Sequence, residues 1–138
     1  TGGSQKVVNT PFDFLLPTQI GSRIDVVDEQ LNYGQGYDHN YVLNPSDSIV
    51  TFAARVVEPL SKRTLEVYTN EPGIQFYGGN FLDGTVRGKN DKSYEYRGAF
   101  CLETQHFPDS PNKTHFPTTS LRAGESYYSI CIYKFGLS

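Results

Sequence analysis

Arg63-Thr64-Leu65-Glu66-Val67-Tyr68-Thr69, Asn70-Glu71-Pro72 and Gly73-Ile74-Gln75-Phe76-Tyr77 follow one another without a break. The first and third runs alternate in character and are rich in β-branched and aromatic residues, while Asn70 and Pro72 between them are turn residues. Short strands are predicted over Arg63–Thr69 and Gly73–Tyr77. Working outward, the same pattern predicts strands over Ser48–Val57, Gly98–Gln105 and Ser126–Phe135, each bounded by Gly, Pro, Asn or Asp. Thirteen glycines and eight prolines punctuate the chain, and no window carries an i, i+3, i+4, i+7 apolar stripe over three turns. The expected fold is all-β, an antiparallel β-sandwich. The polar, turn-rich stretches Gly84–Arg97 and Pro108–Thr114 are expected to be exposed loops.

Side chains alternate faces along a strand. Phe100, Leu102 and Thr104 therefore share one face of the Gly98–Gln105 strand, and Ala99, Cys101 and Glu103 share the other. Glu103 ends a row of small residues, so it either lines a cavity or marks the end of the strand. In Gly73–Tyr77 the amide of Gln75 and the phenol of Tyr77 share a face.

A chain of 138 residues suits one domain, 1–138. A net charge of −3 with scattered Lys and Arg gives no stripe for a phosphate backbone, so nucleic acid is not an expected partner. No run of about 18 apolar residues offers a membrane span. The two cysteines, Cys101 and Cys131, lie in apolar surroundings typical of buried free thiols. With no signal peptide visible at Thr1–Ser4, the expected location is cytoplasmic.

Three polar clusters stand out: Tyr37-Asp38-His39-Asn40-Tyr41, Gln75 within Pro72–Tyr77, and Glu103-Thr104-Gln105-His106. Sugar recognition uses planar hydrogen-bonding side chains for hydroxyls and aromatic faces for C–H surfaces, and these clusters hold both. Each also has a plainer reading. Asp38 and Asn40 suit a turn after Gly34-Gln35-Gly36, Gln75 suits an edge strand, and His39, His106 and His115 suit surface or satisfied core positions. Metal-ligand spacing such as HxxxH or CxxC is absent, so no metal is expected. Nucleophile-elbow, phosphate-loop and dinucleotide fingerprints are absent too.

At these same residues the sequence resembles the aldose 1-epimerase (galactose mutarotase) family. The resemblance runs from about Pro11 to Phe135. Its densest blocks are Gly36–Leu43 (GYDHNYVL), Leu65–Gly84 (LEVYTNEPGIQFYGGNFLDG) and Gly98–Asp109 (GAFCLETQHFPD), with further family-like stretches at Pro11–Phe14 and Phe116–Glu125. The resemblance implies part of a mutarotase-type supersandwich and a hexose-metabolism isomerase that interconverts the α and β anomers of free aldoses such as galactose or glucose. It places the catalytic base on Glu103 of the LETQ block and sugar binding on Asp38 and Gln75. The implied chemistry is general acid–base ring opening without a cofactor.

Two departures qualify the expectation. In the family, the acid histidine comes from an upstream HPYFNL-like block that this chain does not hold, so the chain resembles a C-terminal part with the catalytic histidine absent. Its partners would be a monosaccharide and the N-terminal segment or chain, or a self-associated copy. Gly78 stands where many members carry threonine. The alternative reading is a non-catalytic carbohydrate-binding or structural β-sandwich module derived from the family.

Overall fold

A computed structural model describes residues 2–138. Six strands carry most of the regular structure: β1 (Asp38–Val42), β2 (Thr51–Val57), β3 (Arg63–Thr69), β4 (Gly73–Tyr77), β5 (Cys101–Gln105) and β6 (Cys131–Leu137). They form two three-stranded antiparallel sheets of order β1-β4-β5 and β2-β3-β6. The all-β expectation holds. Strands β3 and β4 have the bounds read from sequence, whereas β2 begins at Thr51, β5 at Cys101 and β6 at Cys131, later than Ser48, Gly98 and Ser126.

Two elements depart from the sequence reading. Asp38 and Asn40 lie in strand β1, not in a turn. One short helix, α1 (Glu29–Gly34), is present. Its six residues are too few to show a periodic stripe, but its caps explain it. The Asp28 carboxylate accepts from Gln30 N at 2.8 Å and Leu31 N at 3.2 Å, satisfying amides that an N-terminus leaves unpaired. Gln35, at φ 53°, ends it in the left-handed conformation, and Leu31 is its buried side chain.

The chain forms two compact units. The first, residues 1–39 and 76–101, is built around Tyr37, which is fully buried. Its ring stacks on Phe76 at 5.2 Å and meets Phe12 and Phe14 edge-on. Its hydroxyl donates to the Pro11 carbonyl at 3.0 Å. The buried Asn80 amide donates to the carbonyls of Gly34 and Tyr37. Gly36 sits against Asn80 at φ +129°, and a Cβ there would stand 2.4 Å from Asn80 Oδ1, so the position needs glycine.

The second unit, residues 40–75 and 102–138, contains the β2-β3-β6 sheet. Strand β3 is its middle strand, pairing Val67 with Ala54 on one side and Tyr133 on the other. Thr64, Val67 and Thr69 are buried, while every residue of β6 is exposed. Phe135 and Leu137 are more than three-quarters exposed. No helix among the described residues is long and apolar enough to cross a membrane.

Candidate functional site

Strand β4 alternates as its sequence predicts: Gly73, Ile74 and Phe76 are buried and Gln75 and Tyr77 half-buried. Gln75 meets the side chains named with it as sequence clusters. The Gln105 amide donates from Nε2 to Asn40 Oδ1 at 3.2 Å and to Gln75 Oε1 at 3.4 Å. One side chain from each of β1, β4 and β5 thus forms a row of planar amides, with the donors and acceptors that hydroxyl-rich ligands require. Gly73 makes room for it: a Cβ there would lie 2.8 Å from Asn40 Oδ1 and 3.0 Å from the Phe107 ring.

Period two relates the expected site residues to this row. Glu103 precedes Gln105 by two residues on β5 and points to the same side of that strand. It is exposed. Asp38 precedes Asn40 by two residues on β1 and is half-buried. Its backbone N–H donates to His39 Nδ1 at 3.0 Å.

That bond decides what His39 can do. With Nδ1 accepting, the neutral ring carries its proton on Nε2. Burial lowers the pKa of the imidazole, and a bond to the Gln30 backbone and the charges of Asp38 and Asp28 oppose the shift without reversing it. Phe12 packs edge-on against the ring at 4.6 Å. His39 is a satisfied, half-buried histidine. His115 packs on Phe116.

A second network adjoins the amide row, and of its members the sequence reading named only His106. Glu71, in the β3–β4 turn, is buried, and His106 Nδ1 stands 2.7 Å from its Oε2. The Tyr127 hydroxyl donates to Oε1, and the Ser129 side chain also bonds the carboxylate. Burial pushes the Glu71 pKa up, but the bonds from Ser129, Tyr127 and His106 together outweigh it, so the carboxyl lies below its ordinary value. Between Asn70 and Pro72 an acidic residue reads as an exposed turn side chain. The return of residues 127–130 to this turn, together with His106, covers it.

Both cysteines are free, as expected, but both are exposed, contrary to the buried positions expected. Cys101 and Cys131 are the first residues of β5 and β6. Among the described residues no cluster of three or more His, Cys, Asp or Glu side chains is arranged to hold a metal ion.

Residues 1–134 match the family model for aldose 1-epimerase. The chain belongs to the aldose 1-epimerase family. It is 45% identical over its whole length to human galactose mutarotase, of which it covers 39%. It is 37% identical over 135 residues to the aldose 1-epimerase of Escherichia coli, covering 38% of that protein. A crystal structure of an aldose epimerase homologue from C. elegans superposes with a TM-score of 0.80 at 27% identity, over 99% of this chain and 40% of that one. The all-β sandwich class of this chain therefore agrees with a solved relative. The chain spans about two fifths of the length of the relatives it matches.

Proposed function

We propose that the chain is the C-terminal part of an aldose 1-epimerase, and that it supplies the base and the sugar-binding amides of a mutarotase site. The observation that carries this reading is the row formed by Asn40, Gln75 and Gln105, with Glu103 two residues before Gln105 on the same side of β5. Gln75 and Asp38 bind sugar hydroxyls. Glu103 takes the proton from the anomeric hydroxyl as the C1–O5 bond breaks and its electron pair passes to the ring oxygen. That oxygen needs a proton from an acid, and His39 is unsuited to the task because burial lowers its pKa and so disfavours the protonated, acidic form of the ring. The acid comes from an N-terminal segment outside this chain. Rotation about C1–C2 and reclosure then give the other anomer.

Shared partners and location follow from the same reading. The apolar side chains on exposed β6, Phe135 and Leu137 among them, favour contact with that segment or with a second copy. Two free thiols suit the cytoplasm. The substrate is a free aldose such as galactose or glucose.

Polarimetry on freshly dissolved α-galactose tests the reading. The isolated chain is expected to be a severely weakened mutarotase, since one acid or base group contributes about 10²–10⁴-fold. Adding the N-terminal segment in trans is expected to restore turnover. Galactose binding without any restored turnover would favour the non-catalytic module instead.

A further inference from the structure

Three pieces of chain meet at the Glu71 carboxylate. It lies in the β3–β4 turn, two residues before Gly73. His106, the residue after Gln105, brings the end of β5 to it. Tyr127 and Ser129 bring the segment that leads into β6. The joint is braced by further bonds: Glu71 N donates to Thr69 Oγ1 at 3.0 Å, Thr69 Oγ1 donates to the Ile130 carbonyl at 2.8 Å, and Ile130 N donates to Asn70 Oδ1 at 2.7 Å. Gln75 and Gln105 hang from two of the three pieces, Gln75 at the middle of β4 and Gln105 at the end of β5 nearest the joint.

A carboxylate taken out of water is stable only where its oxygens are paired, and pairing fixes the groups that do it. The side chain of Glu71 is only 3% exposed, so His106, Tyr127 and Ser129 take the place of water around it. We infer that Glu71 is a positioning residue of the sugar site: through His106 it holds the end of β5 against the start of β4, at the offset where Gln105 reaches both Gln75 and Asn40. The inference rests on the reading of Gln75 as a sugar ligand, and it adds to that reading a residue that need not touch the sugar. The 3.2 and 3.4 Å bonds of the amide row are long enough that a small slip of β5 would break them.

The test uses the 138-residue chain, labelled with 15N, and follows the side-chain amide signals of Asn40, Gln75 and Gln105 with and without galactose. Glu71→Gln keeps the volume and removes the charge. It is expected to move or broaden the amide signals and to weaken galactose binding about tenfold. Tyr127→Phe, which removes one donor to the carboxylate, is expected to act in the same direction with smaller effect. Val67→Ala, a destabilising change in β3, is expected to leave both signals and affinity in place, which separates positioning from general loss of stability. Unmoved amide signals in Glu71→Gln overturn the inference, and if that variant fails to fold, unmoved signals in Tyr127→Phe do so. Galactose that leaves the wild-type signals unchanged, while Glu71→Gln shifts them, overturns the sugar reading and leaves Glu71 as the positioner of the amide row.

Discussion

The backbone N–H of Asp38 donates to Nδ1 of the next residue, His39, at 3.0 Å. The imidazole is thereby tied to its own strand. Its folded pKa lies below the ordinary 6.5, chiefly through burial. The unfolded chain therefore binds the proton first as pH falls, and the stabilising contribution is present above about 6.5 and lost as pH drops from there through the folded pKa. The His39 ring signals are expected to titrate below those of an unstructured histidine, and His39→Gln to flatten the stability change between pH 7 and 5. A His39 midpoint at or above 6.5 would contradict this.

Glu71 sets a second and lower pH window. Its folded pKa is below the ordinary carboxyl value of 4.5, so its contribution is present above about 4.5 and lost as pH falls through the folded pKa. Glu58 is pulled down to about 2 by the Ser61 hydroxyl and the backbone amides of Leu60 and Ser61, but it is fully exposed, so water and salt screen its share. The acid limb of the stability curve is expected to be distinctly shallower in Glu71→Gln and little changed in Glu58→Gln, as measured by urea unfolding at pH 2–6.

These two residues show what the sequence carried and what it did not. Strands β3 and β4 were legible to the residue, because alternating side chains between Asn, Pro and Gly leave little choice of bounds. The chemistry of Gln75, Asn40 and Gln105 was visible as clusters, and their meeting was not, since it depends on the order β1-β4-β5. Helix α1 was hidden because a capped helix of six residues is too short to show periodicity. Glu71 was hidden because its burial depends on Tyr127, 56 residues away.

Gly36 offers a purely structural check. Its φ of +129° and the 2.4 Å approach of Asn80 Oδ1 to a built Cβ mean that Gly36→Ala strains the backbone and displaces a buried amide at once. The loss is expected to be about 2 kcal/mol or more, read from urea unfolding. A loss below about 0.5 kcal/mol would show that the loop after α1 relaxes freely.

Cys101 and Cys131 are both exposed and unbridged. A thiol reagent such as dithionitrobenzoate is expected to titrate two thiols in the native chain without denaturant, and added reductant is expected to leave unfolding unchanged. Fewer than two reactive thiols would mean that one is covered, and the apolar neighbours of Cys131 on exposed β6 make self-association the first cause to check by sedimentation.

On the proposed reading, Glu103 as base and Gln75 as sugar ligand are separable by kinetics once the N-terminal segment is supplied. Glu103→Gln keeps the shape of the side chain and removes its ability to accept a proton. It is expected to cut kcat by about 10²–10⁴-fold while sugar affinity stays within a few-fold, because the lost interaction belongs to the proton transfer. If Gln75 binds sugar hydroxyls as proposed, Gln75→Ala removes a contact made before, during and after ring opening, so it is expected mainly to raise KM. The same variant also strips Gln105 of one of its two acceptors, so a modest fall in kcat should accompany it if Gln105 shifts. Polarimetry on α-galactose across a range of concentrations resolves the two patterns. Unchanged kcat in Glu103→Gln would remove Glu103 from the mechanism, and unchanged KM in Gln75→Ala would leave the amide row a structural device.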